Sequence, residues 1–302
     1  MKRMLLFPLA LLALSCGDDT SGPTGGQDWT VFSVWGSRGS SEGQFGDICQ
    51  FAVAPVSGDV YLADRDNDRV QYVSDDGTFL GAWDFGSDGW SIAVSQNGIV
   101  FVGSREDTQI LMYNLAGVFL GGWGEYGTGE GQFEELGWLR CLPGAALAAI
   151  DLYADQVQVY DESGSLAAEW TVPGLEYGEY PGIDNMAVNS SGNVLVFSGA
   201  GVSKIWEYTM NGTLVGEHSV ASDVRCIAAD EAGRVYLGCT DEPRVRILDS
   251  QWEQIDSITL TGLVPGESGY HPLLLEAGDD GRIFICCQYG ANDLRMVVLA
   301  PE

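Results

Sequence analysis

Cations are scarce in this chain of 302 residues: 14 Lys and Arg stand against 43 Asp and Glu, a formal charge of −29. Such a surface repels a polyanion over most of its area, which excludes nucleic acid as a partner. Histidine is rarer still, with His218 and His271 alone, and no CxxC pair occurs. A zinc cluster therefore has no ligand set in the sequence. A GxSxG nucleophile elbow is missing as well,. The apolar run within MKRMLLFPLALLALS at the start is too short to span a bilayer, and no later segment is long enough either,. What the chain does have is 45% apolar residues, ample for a buried core of one large domain or two ordinary ones,.

Lys2 and Arg3 ahead of that short apolar run give residues 1–15 the layout of a secretory signal,. Its end, LALSC, resembles a bacterial lipobox, in which Cys16 is the acylated residue; a plain signal peptide that happens to carry a cysteine is the other reading. Two or three acyl chains hold a protein stably at a membrane, at about 0.8 kcal/mol per buried methylene. Residues 16–27 then read as the acylated cysteine and a polar, glycine-rich tether with a reach of roughly 15–20 Å,. Gly17 after Cys16 resembles the outer-membrane sorting signal of enteric bacteria. The expected location is the bacterial cell envelope, lipid-anchored in the outer membrane and facing periplasm or surface, with the membrane touched only through the lipid.

Self-similarity decides the rest. Strands of the VYLAD type (60–64) recur as VFVGS, LAAID, VLVFS, VYLGC and IFICC at intervals of 40–48 residues. A second series, FLGAW, FLGGW, LAAEW, LVGEH and QIDSI, follows the first five copies. The sixth lacks this partner, but VFSVW (31–35) has the same shape and stands one period ahead of the first copy. With a leading strand such as SIAVS and a third such as VQYVS, each repeat supplies four strands, and turns such as SDDG and TMNG separate the last two,. Four antiparallel strands at this period form one propeller blade. The predicted fold is all-β: a six-bladed β-propeller over 28–302, closed when the N-terminal strand completes the last blade and leaves no terminal blade uncovered.

GQF at 43–45 and 131–133, the run VYLADRDNDRVQYV and the FLGAW and FLGGW ends resemble the NHL repeat. The resemblance is strong in blades 1 to 3 and fades in blades 4 to 6, which lack GQF and the terminal tryptophan. It implies the fold; propellers of this family include protein-binding, RNA-binding and enzymatic members, so it does not imply one activity. It also implies a structural task for Arg69, tying neighbouring turns, and for Gln109, Gln156, Lys204 and Arg244 at the same place in later blades.

Asp64, Asp66 and Asp68 have the alternate spacing of a calcium loop, but Arg69 and Asp75 occupy the places where that loop needs glycine and glutamate,. A solvated turn is the expectation. With Lys2 and Arg3 in the leader, twelve cations remain. Eight of them, including Arg65, Arg105, Arg140 and Arg225, fall in or beside the loops that join strands 2 to 3 and one blade to the next, where Trp90, Trp138, Tyr177, Tyr180 and His271 also gather. Arginine and aromatic residues are the types that carry interface energy. At the start of successive leading strands, the aligned places hold Cys49, Trp90, Arg140, Asp184, Arg225 and Leu273, a mixed channel mouth suited to a small polar ligand or a peptide end; the same side chains could equally plug the tunnel. The candidate ligand-binding set is Trp90, Arg140, Arg225, Asp184, Arg65, Arg105, Trp138, Tyr180 and His271.

Six cysteines follow Cys16, and no spacing selects a connectivity among them; Cys226 and Cys239, on neighbouring strands, are the first pair to test,. Two functions remain open. One is a non-enzymatic, monomeric module that captures an envelope protein, peptide or glycan on the loop face and needs no cofactor. The other is an enzyme similar to lactonase-like or lyase-like propellers, with a divalent cation in the tunnel held by Asp184, Asn185, Gln50 and Glu276.

Overall fold

The computed structural model describes residues 27–302 apart from 87–88, 145, 176–182, 200–201, 264–269 and 290–292. Six four-stranded antiparallel sheets form the six-bladed propeller: blade 1 spans 48–84, blade 2 89–123, blade 3 136–171, blade 4 185–219, blade 5 224–259 and blade 6 270–301. Blade 6 takes its outermost strand, Trp29–Trp35, from the start of the domain, paired from Trp29 opposite Pro301 to Trp35 opposite Met296. The first strand of each blade contacts the first strands of both neighbours, and that of blade 6 returns to blade 1, so the ring closes. Cys16, the expected lipidation site, the rest of residues 1–26, and Tyr177 and Tyr180 lie outside the described residues.

The second strands VYLAD, LAAID, VLVFS and VYLGC are buried along their whole length, whereas fourth strands alternate between half-buried and exposed. A middle strand is covered on both faces by neighbouring blades, so it reads as a continuous apolar run. The core is accordingly a series of clusters between adjacent blades, such as Tyr61, Val70, Ile92 and Val102 between blades 1 and 2.

Between blades, a large residue on one fourth strand meets the turn between strands 3 and 4 of the next. A β-carbon on Gly77 would stand 2.4 Å from Trp35; on Gly117, 2.5 Å from Trp83; on Gly164 and Gly212, 2.8 Å from Trp123 and Trp170. These glycines also have φ near +80°, which closes the tight turn,. Blade 5 reverses the arrangement. Its turn carries Trp252 at φ 65°, and this ring stacks at 3.6 Å on His218, which stands where blades 1 to 3 have tryptophan. Burial lowers the His218 pKa more than Glu207 raises it, so this imidazole is a neutral packing group,.

Candidate functional site

Innermost strands leave one edge unpaired toward the axis, and side chains satisfy it. Gln50 of blade 1 donates from Nε2 to the Leu139 carbonyl of blade 3 at 2.7 Å and accepts from the Leu139 and Ile92 amides through Oε1. One level of the channel is mostly small: Ala52, Ala93, Ala187 and Ala228 occupy equivalent positions, each opposite the second residue of its neighbouring strand. At the same level blades 3 and 6 carry Arg140 and Glu276. These blades face each other across the ring, and the four alanines leave room for the two side chains to form an ion pair. The Arg140 Nε also donates to the Met186 carbonyl at 2.7 Å. Burial raises the Glu276 pKa, and Arg140 works against that rise. The pair bars the tunnel, so the Arg140 charge is already engaged below the mouth.

Above this bar, a β-bulge recurs near the start of the leading strand in five blades, with register shifts at 48–51, 89–91, 136–139, 224–226 and 272–274. A bulge turns one side chain out of the pleat toward the rim. The bulge places are held by Cys49, Trp90, Gly137, Arg225 and Leu273. The aligned place in blade 3 is thus Gly137, not Arg140, which lies three residues deeper. An arginine where four blades have alanine, and a tryptophan where blades 1, 2 and 4 have Gln50, Ser91 and Asn185, hid the register there. Trp138, next to Gly137, packs against clusters of blades 6 and 1 as well as those of blades 3 and 4.

Trp90 is half-buried, with the Arg105 and Arg65 guanidinium carbons 4.2 and 5.3 Å from its ring centroid. Arg65 pairs with Asp47 at 2.5 Å and Arg105 with Glu135, so an Arg–Trp–Arg rim runs over blades 1 to 3. Arg225 lies opposite, in blade 5, and is exposed. Of the twelve Lys and Arg among the described residues, it alone forms no salt bridge. His271 is half-buried on the first strand of blade 6. Asp184 accepts the Gly199 amide at 2.6 Å and so caps the end of a strand.

The expected turn at Asp64–Asp68 is solvated at Asp66 and Asp68, whereas Asp64 is buried and serves the fold. Its buried carboxylate accepts from the Gly46 amide at 2.8 Å, from Asn67 at 2.8 and 2.9 Å and from the Arg69 Nε at 2.9 Å. Arg69 continues to the Ser41 and Gln44 carbonyls and thereby ties down the GQF loop. Asp66 pairs with Arg38 at 3.1 Å, and Asp68 closes the turn in the left-handed region.

Cys226 and Cys239 are free thiols, so the bridge between them is not formed. Cys226 and Cys239 have no exposed surface, and burial pushes the Cys239 thiol up to about 11 and Cys226 higher. Among the described residues no group of three His, Cys, Asp or Glu is placed to hold a metal ion.

No family model matches the chain, and no curated protein matches it. Solved structures do. A protein of unknown function from Bacteroides thetaiotaomicron superimposes with a TM-score of 0.66 at 17% identity, covering 91% of this chain and 77% of that one. A gluconolactonase from Xanthomonas campestris gives 0.62 at 16%, covering 91% and 88%. A streptogramin B lyase gives 0.60 at 14%, covering 83% and 78%. At these identities the likeness is one of fold.

Proposed function

We propose that the chain is a binding module of the NHL-repeat type, held in the bacterial envelope by acylated Cys16, which captures a peptide or protein segment across its channel mouth. The observation that carries this reading is the pair of opposed bulges, which turn the Trp90 ring and the unpaired Arg225 guanidinium to the rim. An anionic end of the partner pairs with Arg225, and its apolar part lies on Trp90, flanked by Arg65 and Arg105. Arginine and aromatic anchors are the residue types that dominate binding energy.

The lactonase-like and lyase-like alternative draws on the gluconolactonase and lyase neighbours. Its candidate ligands are largely committed elsewhere, Gln50 to the blade 3 backbone and Glu276 to Arg140. Metal analysis of residues 28–302, with melting in chelator and in added calcium or zinc, tests that alternative. The binding reading is tested by pull-down from a solubilised envelope. Arg225→Ala and Trp90→Ala should each abolish capture while the protein keeps its cooperative melt; unchanged capture by both variants overturns it.

A further inference from the structure

Blade 3 has an acidic cavity on the same loop face. Its Asp151 is the counterpart of Asp64, at the end of the second strand, and is equally buried. Asp151 accepts the Glu134 amide at 2.7 Å, the Glu135 amide at 3.1 Å, and those of Tyr153 and Ala154 at 3.2 and 3.3 Å. The side chains that serve Asp64 are gone: Ala154 stands in place of Asn67, and Gln156 in place of Arg69. In addition Asp155, the counterpart of the exposed Asp68, is buried with 2% of its surface accessible. No side chain donates to either of its oxygens.

Both carboxylates line a cavity of about 300 Å³, together with Thr128, Gln132, Ala154 and Gln156. No cationic side chain pairs with either, and every Lys and Arg beyond residue 3 belongs to the described residues. Two buried acidic groups with no cation nearby are costly. Burial pushes the Asp155 pKa up to about 6; the Ile183 amide lowers it and Asp151 adds to the rise.

We infer that this niche receives a basic side chain, arginine or lysine, from a partner peptide or protein, which supplies in trans what Arg69 supplies in blade 1. The volume and the donor set favour this over a metal ion. A cavity ten times the volume of a water suits a guanidinium on its methylene stem, and the Asp151 oxygens are already occupied by four amides,. A planar guanidinium can serve both carboxylates at once.

The probe is N-acetyl-arginine amide, titrated into the protein at pH 7.5 and low salt by calorimetry and NMR, with N-acetyl-citrulline amide as the neutral control. Saturable binding of one arginine compound per chain is expected, with none of the citrulline compound. Asp155→Asn and Gln156→Arg should each weaken binding at least tenfold, the second by filling the niche from within. Trp90→Ala/Arg225→Ala should bind it unchanged, which separates this site from the mouth. Absence of saturable binding, or binding indifferent to both niche substitutions, overturns the inference. So does stoichiometric calcium binding that Asp155→Asn removes. Should Asp155→Asn fail to fold, Gln156→Arg decides alone.

Discussion

Blades 1 and 3 share the GQF loop, the second-strand aspartate and the left-handed turn residue, yet they treat buried charge in opposite ways. In blade 1, Asp64 is neutralised by Arg69, and the space between the crossover loop and the third strand is filled. In blade 3 that arginine is Gln156, the space is open, and Asp155 has turned inward. A repeat that no longer needs its own cation for closure, because the Asp151 carboxylate is held by four amides, is free to use the same geometry on something else.

The most damaging way to break this comparison is Arg69→Ala. It leaves the Asp64 charge buried with only neutral donors, Asn67 and the Gly46 amide among them, and frees the GQF loop; a loss of about 3–5 kcal/mol is expected in urea unfolding. The pair across the channel behaves alike: Glu276→Ala should cost about 3 kcal/mol by stranding Arg140, while Arg140→Met/Glu276→Leu should recover most of it. Melting curves of the two single variants and the double variant check this.

Asp155→Asn should move in the other direction. The folded pKa of about 6 lies above the unfolded value of 3.8, so the native state holds its proton more tightly. The stabilisation is complete below the unfolded value and is lost as pH rises through about 6,. The asparagine variant should therefore melt a few degrees above the parent at pH 7.5 and level with it at pH 4. The smallest effect is expected where blade 5 inverts the Gly–Trp contact: Trp252→Gly relieves the positive φ but bares His218, and His218→Trp/Trp252→Gly should restore stability to within about 1 kcal/mol of the parent.

The repeat positions were legible because the blades re-use one pattern: an apolar second strand covered on both faces and, in blades 1 to 4, a turn glycine before the fourth strand. The structural task of Arg69 followed from the NHL resemblance. Legibility failed where a residue's partner comes from another blade. Arg140 looked like a mouth residue until the four alanines at its level placed Glu276 against it. The two cysteines on adjacent strands, Cys226 and Cys239, suggested a bridge, but each is free in the apolar core. The blade 3 niche left only a faint signal, the change from Arg69 to Gln156 at aligned positions, since its identity depends on the inward turn of Asp155.

Period and polarity along the chain thus determined the blades and their number, and the displaced VFSVW segment determined how the ring closes, because hydrogen-bonded strand pairing and burial of sheet faces are local, repeating demands. Which charges meet was decided only by the closed ring. Sites three blades apart are far apart in sequence, and the balance between desolvation and pairing at Arg140, Arg225 and Asp155 is set by neighbours that no stretch of sequence brings together.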